Sequence, residues 1–185
     1  MTWNNGPFMD SSSMRKMRRL HYVPRWCVVP TIQRQTVAEH TFGVATIAMK
    51  MMEWMKADYS IRGAIQRSLI LEDILEHDKD EALTGDKPTP TKSTMSAHMS
   101  AQTKVVLKCA DVMEAIVFLE EEEALGNRRV KTILTERKAA FHEWWQYFEW
   151  ACTPRRPLSS DVIKYFVGEL VHGEHPAMEL FNEKP

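Results

Sequence analysis

The positions of the prolines set the strongest limit on what this chain of 185 residues can fold into. All nine prolines lie outside three long stretches, which span residues 31–87, 91–153 and 158–175. Proline interrupts an α-helix because it lacks a backbone donor and clashes with the preceding turn, so long helices are confined to these stretches. The sequence therefore predicts long helices separated by short proline-containing connections.

The apolar residues inside these stretches recur at helical rather than alternating spacing. One predicted helix face contains Val37, Val44, Ile47, Met51 and Met55. A second predicted stripe contains Ile61, Ile65, Leu69 and Leu75. Residues 105–119 are almost wholly apolar, which indicates a helix that is buried on several sides.

Two further helices are predicted over residues 128–152 and 160–172. Serines at helix starts are typical caps, so Ser12 or Ser13 is expected to cap a short first helix, and Ser159 or Ser160 the last one. The sequence has no β-hairpin pattern and no internal repeat. The prediction is an all-α fold of about six helices in a single domain over residues 1–185.

Charge is balanced overall but not along the chain. The formal net charge of −1 excludes a general attraction to polyanions. Up to residue 35, one acid, Asp10, accompanies six basic residues, which are Arg15, Lys16, Arg18, Arg19, Arg25 and Arg34. Six minus one gives a local charge of +5, which can steer an anionic ligand. A solvated amphipathic helix explains the same pattern equally well.

Cysteine usage and hydropathy indicate the cellular compartment. The three cysteines, Cys27, Cys109 and Cys152, form no CxxC pair and are odd in number, which favours a reducing compartment without a disulfide framework. Residues 1–20 lack the apolar region of a signal peptide. No run approaches the roughly 18 apolar residues of a membrane span. The sequence predicts a cytoplasmic protein that does not bind a membrane.

Two polar residues fall on predicted apolar helix faces. His40 shares the face of Val37, Val44 and Ile47. A single histidine there is more often a satisfied core residue than a ligand. Asp111 lies within the most apolar segment, where a carboxylate is costly unless it is paired or bound to a metal. A salt bridge to a buried cation is an equally good explanation.

His77 and Asp78 end an apolar helix and complete a set of potential metal ligands. Together with His40 and Asp111 they offer two imidazoles and two carboxylates from three helices. Neutral imidazole with carboxylate suits zinc, manganese, cobalt or iron rather than calcium. A small helical bundle can bring three such helices side by side.

Three segments carry a resemblance to a known family. "TVAEH" ends at His40, "EHDKDEALTGDKPTPTK" begins at Glu76, and "KCADVMEAIVFLEEEEALGN" contains Asp111. Their order resembles that of the HD-domain phosphohydrolases, in particular the bacterial 5′-deoxynucleotidases and the phage dATP triphosphohydrolases that accompany replacement of adenine by 2-aminoadenine. The resemblance covers roughly residues 15–150, and "RW" at residues 25 and 26 stands at the family's distance before the first histidine.

The resemblance implies a role for individual residues. It implies that His40, His77, Asp78 and Asp111 hold one catalytic divalent metal, which would be zinc, cobalt or manganese. It implies that Glu81 is the catalytic carboxylate that acts on the attacking water. Arg25 would contact the phosphate, Trp26 the sugar or base, and Asp86 the sugar 3′-hydroxyl. Lys92 is a further phosphate candidate.

The substrate implied by the resemblance is a purine deoxynucleotide. Arg25, Arg34 and either Lys87 or Lys92 are expected to line the pocket and offset charge on the phosphates. The excess of basic residues before position 36 favours a triphosphate, which needs more cations than a monophosphate and can bring further divalent ions. The prediction is a dATP triphosphohydrolase that releases deoxyadenosine and triphosphate, in the host cytoplasm if a phage encodes it. The alternative is a 5′-deoxynucleotidase that acts on deoxynucleoside monophosphates.

Two other classes of protein stay open. A non-catalytic helical protein could bind nucleotides or use "RKMRRLHYVPR" as a nucleic-acid arm, although the retained ligand set and Glu81 argue against it. A metal-dependent phosphodiesterase is the other, but the remaining histidines do not follow the pattern of a second metal site. Nucleic acid is therefore not the expected partner.

The aromatic segment "FHEWWQYFEW" suggests a subunit interface. Phe141, Trp144 and Phe148 share one helix face and are expected in the core. Trp145 and Trp150 then point elsewhere, which is typical of a contact surface. The resemblance also implies a homo-oligomer, either a dimer or a hexamer.

Overall fold

The regular structure of the protein is helical throughout the part that can be described. The computed structural model describes residues 11–54, 61–87, 99–152 and 162–172. The helices are α1 (Ser11–Arg19), α2 (Val37–Trp54), α3 (Ile61–Glu76), the single turn α4 (Glu81–Thr84), α5 (Ala101–Ala124), α6 (Lys131–Cys152) and α7 (Val162–Leu170). Six of these span two turns or more, so the prediction of an all-α fold with about six helices is confirmed. That residues 1–185 form one domain stays a prediction.

Helix α5 forms the centre of the core. Ser100 caps it by accepting a hydrogen bond from the Thr103 N–H, and the helix then contacts α2, α3, α6 and α7. Its apolar residues are buried on several sides, as the sequence predicts, and those with no exposed surface are Val106, Cys109, Ala110, Met113, Ile116 and Leu119. A polar side chain on α5 is therefore held in place by helices on more than one side.

The predicted buried face of α2 is confirmed, whereas that of α3 is wrong. Val37, Val44, Ile47 and Met51 are buried in α2, and Met55 lies outside the described residues. On α3, Leu69 is 51% exposed and Leu75 36% exposed, while Ile70 and Ile74 are buried instead. The side chains of Ile61 and Ile65 lie outside the described part. Because the run "LILEDIL" offers two overlapping apolar stripes, only packing against α2 and α5 decides which one is buried.

This correction predicts a difference between two adjacent substitutions. Ile70→Ala is expected to lower the free energy of unfolding by about 2–4 kcal/mol, because it leaves a cavity in the core. Leu69→Ala, the neighbouring control, is expected to change it by less than about 0.5 kcal/mol. Urea unfolding of both variants measures the difference. Equal losses would mean that the face of α3 is assigned incorrectly.

Three smaller predictions concern the helix caps and the direction of Trp145. Ser12 and Ser13 lie inside α1 and so do not cap it, while Ser159 and Ser160 fall outside the described residues. The prediction that Trp145 points away from the core is wrong, because the residue is only 6% exposed. It stacks between two core aromatics, since its ring centroid lies 5.5 Å from that of Phe141 and 4.7 Å from that of Phe148.

Two observations bear on the environment of the protein. Cys27 and Cys109 are free thiols. None of the described helices combines the length and the apolar character that a membrane span requires.

Candidate active site

A closed loop between the 3₁₀ turn at Leu20–Tyr22 and α2 places Arg25 and Trp26. Its base is held by two backbone hydrogen bonds, from Val37 N–H to the Val23 carbonyl (2.9 Å) and from Arg25 N–H to the Gln35 carbonyl (2.7 Å). Trp26 has a φ of +64°, a conformation that costs a bulky side chain free energy. Such strain persists only where surrounding contacts hold the residue in place.

The far side of this loop is fixed by a buried carboxylate on α5. Glu122, which has no exposed surface, accepts hydrogen bonds from the Ile32 and Gln33 N–H groups, both at 2.6 Å. Asn127 donates to Glu122 and to the Pro30 carbonyl. Burial alone would raise the pKa of Glu122, but these hydrogen bonds outweigh it and lower the pKa. Glu122 therefore stays ionised and holds the loop against α5.

Three of the four predicted metal ligands, His40, His77 and Asp78, lie together at one buried point, and the fourth, Asp111, lies beside His40. His40 comes from α2, His77 and Asp78 follow α3 directly, and Asp111 comes from α5. The Nε2 atom of His40 lies 3.2 Å from an Asp111 carboxylate oxygen and 3.8 Å from the Asp78 Oδ2 atom. That same Oδ2 atom lies 3.1 Å from the His77 Nε2 atom.

This geometry fits a divalent cation. Ligand atoms bound at about 2.1 Å in tetrahedral or octahedral coordination lie about 3.0–3.4 Å from one another. The nitrogen and oxygen atoms of His40, His77 and Asp78 lie within 4.8 Å of one another. Within the described part of the chain, the buried Nε2 atoms of His40 and His77 make no hydrogen bond of good geometry. Both therefore present a lone pair to the same point.

The hydrogen bond at the Nδ1 atom of each histidine determines which tautomer the ring adopts. The Nδ1–H of His77 donates to the Ile74 carbonyl at 2.6 Å. The Nδ1–H of His40 donates to the Glu114 carboxylate. A partner on Nδ1 leaves Nε2 as the atom that could ligate a metal and sets the angle of the ring, an arrangement common in histidine metal sites.

Glu114 is a residue of the candidate site that the sequence analysis did not single out. It is 6% exposed on α5 and accepts hydrogen bonds from Arg25 (2.9 Å) and Gln35 (2.6 Å) as well as from His40. A signal was present in the sequence, because Glu114 follows Asp111 by three residues and so shares its helix face within an apolar segment. Gln35 carried no such signal.

The charged groups in this cluster shift one another's pKa values. Burial and the Arg25 cation would lower the pKa of His40, but the Glu114 and Asp111 carboxylates outweigh them and raise it. Burial would raise the pKa of Asp111, but His40, Lys108 and Arg25 hold it well below its usual range. The pKa of Glu114 is lowered in the same way by His40, Arg25 and Gln35 against the effect of burial. Both carboxylates are therefore ionised near neutral pH.

Glu81 lies one turn beyond Asp78. It begins α4, and its backbone N–H donates to the Asp78 carbonyl at 2.9 Å. The side chain is 5% exposed, and its Oε1 atom accepts a hydrogen bond from the Lys87 N–H at 3.3 Å. A buried carboxylate is thus held close in the chain to the ligand pair His77 and Asp78.

The structure connects Asp86 to the Arg25 loop. The Asp86 Oδ2 atom accepts a hydrogen bond from the Trp26 backbone N–H at 3.0 Å. The Trp26 ring is 9% exposed, stacks on Phe118 with centroids 5.5 Å apart, and has the Arg25 guanidinium 5.1 Å above its centroid. Its indole N–H donates to Gln35. In this arrangement the ring supports Arg25, and the predicted contact with a sugar or base stays a prediction.

The basic residues predicted to line the pocket differ in how close they lie to the cluster of carboxylates and histidines. Arg25 reaches the cluster, with its guanidinium 3.7 Å from Asp111. Arg34 and Lys87 are exposed, and Lys92 lies outside the described residues. Lys108, which the sequence analysis did not single out, lies 3.3 Å from the Asp111 Oδ2 atom and adds a cation at the site.

The chain is similar in sequence to several nucleotide hydrolases. A family model described as 5′-deoxynucleotidase YfbR-like matches residues 13–104. A dATP triphosphohydrolase of Salmonella phage PMBT28 is 30% identical, in a match that covers 61% of this chain and 69% of the relative. A 5′-deoxynucleotidase of Pasteurella multocida is 24% identical, in a match that covers 80% of this chain and 86% of the relative.

A solved structure has the same fold. It is the HD phosphohydrolase DatZ of cyanophage S-2L, bound to dA and one catalytic Zn²⁺ ion. The TM-score is 0.53 at 21% sequence identity, over 79% of this chain and 98% of that one. The sequence matches, the shared helical fold and the His-Asp cluster agree with one another, and the chain belongs to the YfbR-like family of HD-domain phosphohydrolases.

Proposed function

We propose that this chain hydrolyses dATP to deoxyadenosine and triphosphate with one bound divalent cation. The observation that carries the proposal is the cluster of His40, His77 and Asp78, with Asp111 beside His40 and the buried Glu81 one turn away in the chain. Phage relatives named dATP triphosphohydrolases from two different phages support the choice of substrate. The alternative is a 5′-deoxynucleotidase, which the family model and the Pasteurella relative favour.

His40, His77, Asp78 and Asp111 are the proposed holders of the cation. Zinc is the first candidate because the cyanophage structure contains a catalytic Zn²⁺ ion, and cobalt or manganese has the same ligand preference. When bound, such an ion supplies a Lewis acid that polarises a phosphoryl oxygen and lowers the pKa of water. Further divalent ions are proposed to accompany the triphosphate.

Glu81 is the proposed proton carrier. The reaction breaks the bond between the α-phosphorus and the 5′-oxygen of dATP and forms a new bond from that phosphorus to a water oxygen. The Glu81 carboxylate takes a proton from the attacking water and returns one to the departing 5′-oxygen. The hydrogen bond from the Lys87 N–H keeps the carboxylate in position for both transfers.

The substrate is proposed to bind between the Arg25 loop and the residues after α4. Arg25 donates to phosphate oxygens, and Asp86, anchored on the Trp26 N–H through one carboxylate oxygen, accepts a hydrogen bond from the sugar 3′-hydroxyl with the other. Lys108, Lys87, Lys92 and Arg34 are proposed to balance the remaining phosphate charge. Trp26 is proposed to act mainly through Arg25, because its ring lies beneath the guanidinium.

Metal affinity is expected to fall as the pH falls. A histidine must be neutral to bind a metal, so protons compete with the metal for His40. The pKa of His40 is raised, so this loss begins at a higher pH than for an ordinary histidine, while Asp111 stays ionised because its pKa is lowered. Chelator competition between about pH 5 and about pH 8, where histidine titrates, measures the affinity. An affinity that is flat over this range, in protein that circular dichroism shows to be folded, would contradict the ligand assignment.

We also propose that the protein is a homo-oligomer, with α6 in the interface. Trp150 is 82% exposed and Tyr147 59% exposed on this helix. Large exposed aromatics of this kind are typical of contact surfaces. Sedimentation of the wild type and of Trp150→Ala measures the assembly, and an unchanged monomer in both would contradict the proposal.

The proposed activity is tested by comparing substrates under matched conditions. The metal-loaded protein is incubated with dATP, dAMP, ATP and the other deoxynucleoside triphosphates, and the products are separated by ion exchange. Deoxyadenosine and intact triphosphate from dATP are expected, with little turnover of dAMP. Phosphate released only from monophosphates would establish the alternative instead. Absence of turnover with every nucleotide would contradict both activities.

A further inference from the structure

Glu114 contacts both His40, a proposed metal ligand, and Arg25, the proposed phosphate contact. One carboxylate oxygen, Oε2, accepts hydrogen bonds from Arg25 Nη1 at 2.9 Å and from the Nδ1–H of His40. The other, Oε1, accepts from Gln35 Nε2 at 2.6 Å. Gln35 in turn accepts from the Trp26 indole N–H at 2.9 Å. Glu114 thus contacts both a proposed metal ligand and the proposed phosphate-binding arginine, and these two side chains also contact each other through Arg25 Nη1 and His40 Nδ1.

These contacts mean that the position of Glu114 controls two groups at once. The angle of a metal-bound imidazole depends on the acceptor at its other nitrogen. The guanidinium of Arg25 depends on a counter-charge in this buried setting, where Glu114 is its nearest carboxylate contact and Asp111 lies farther away at 3.7 Å. A displacement of Glu114 would therefore move the ring of His40 and the guanidinium of Arg25 together.

Gly43 is the position on α2 that allows Glu114 to lie so close. It follows His40 by three residues, and a Cβ atom placed on it would lie 2.8 Å from Cγ of Glu114. That separation is too short for two carbon atoms, and Cγ is not the far end of a flexible side chain. Glycine inside a helix normally weakens the helix. The close approach of Glu114 gives a physical reason for a glycine here.

We propose that Glu114 is a positioning residue that couples the metal-holding His40 to the phosphate-binding Arg25, and that Gly43 provides the space it needs. This inference rests on the proposed function, because it takes His40 as a metal ligand and Arg25 as a phosphate contact. It goes beyond that function by linking metal affinity to substrate affinity through one carboxylate. Substitution of Glu114 weakens both metal affinity and substrate affinity, whereas substitution of Arg25 weakens only substrate affinity.

The experiment measures two affinities separately in the full-length protein. Affinity for Zn²⁺ is measured by chelator competition, and the dissociation constant for dATP is measured by calorimetry in a Glu81→Gln background, where turnover is blocked. Glu114→Gln is expected to lower metal affinity by about 10–100-fold, the range typical of partners of metal-bound histidines, and to weaken dATP binding as well. Gly43→Ala is expected to lower metal affinity in the same direction, although alanine usually strengthens a helix.

Two control variants separate coupling from general damage. Arg25→Ala should weaken dATP binding but leave metal affinity unchanged or higher, because it removes a cation beside the metal ligands. Glu122→Gln makes the same chemical change on the same helix, at a buried carboxylate that anchors the loop at Ile32 and Gln33 but has no contact with His40. It should lower thermal stability and leave metal affinity within about threefold of the wild type.

The possible outcomes separate this inference from the proposed function. Wild-type metal affinity in Glu114→Gln, or an equal loss in Glu122→Gln, would overturn the positioning role. An equal loss of metal affinity in Arg25→Ala would overturn the coupling through Glu114. A wild-type protein that binds Zn²⁺ and dATP but turns over no nucleotide would overturn the proposed activity and leave both affinity measurements valid as a test of Glu114.

Discussion

Glu81→Gln is expected to reduce the turnover of dATP by about 10²–10⁴-fold, the range that a positioned proton carrier typically contributes. The amide keeps the size and the hydrogen-bond acceptor of the carboxylate but cannot take a proton from water. Metal affinity is expected to stay within about threefold of the wild type, because Glu81 is not one of the four proposed ligands. Initial rates of deoxyadenosine release measure the effect.

The control for this substitution is the preceding residue. Asp80→Asn makes the same chemical change at a side chain that is 79% exposed and pairs with Lys16 on the surface. It should change the rate by less than about twofold, since exposed ion pairs contribute little. If both variants lost activity equally, the role of Glu81 would reduce to the stability of α4.

Asp78→Asn is expected to abolish turnover and to remove the stabilisation that a bound metal gives. A ligand that binds only the folded state raises the melting temperature by mass action. The neutral amide is a much poorer ligand than the carboxylate, so the melting temperature of Asp78→Asn should no longer rise when Zn²⁺ is added. Scanning calorimetry with and without Zn²⁺ measures this difference.

Asp73→Asn is the matched control for the ligand substitution. Asp73 lies on α3, five residues before Asp78, and burial together with Glu76 raises its pKa. This variant should keep both the activity and the metal-dependent rise in melting temperature. A wild-type response to Zn²⁺ in Asp78→Asn would show that the metal binds elsewhere.

The sequence was most informative where one residue carries its own signal. Proline positions and apolar periodicity predicted the helices, and a carboxylate or histidine on an apolar face, such as Asp111 or His40, was recognisable as costly unless partnered. The motif order then related these residues to a family. Each of these signals can be recognised without knowing how the helices pack.

The features that could not be predicted from the sequence depend on contacts between distant segments of the chain. Whether α3 buries Ile70 or Leu69 is decided by the helices against which it packs. Nothing in the sequence around Trp26 indicates that its ring lies on Phe118, 92 residues away in the chain. Gln35 and Gly43 are ordinary residues in the sequence and become significant only because Glu114 lies beside both.

The most direct test of the proposed activity follows the oxygen of the attacking water. The metal-loaded protein is given dATP in ¹⁸O-labelled water, and the products are analysed by mass spectrometry. If water attacks the α-phosphorus as proposed, one labelled oxygen appears in intact triphosphate and none in deoxyadenosine. Label in the nucleoside, or release of phosphate or pyrophosphate in place of triphosphate, would contradict the account.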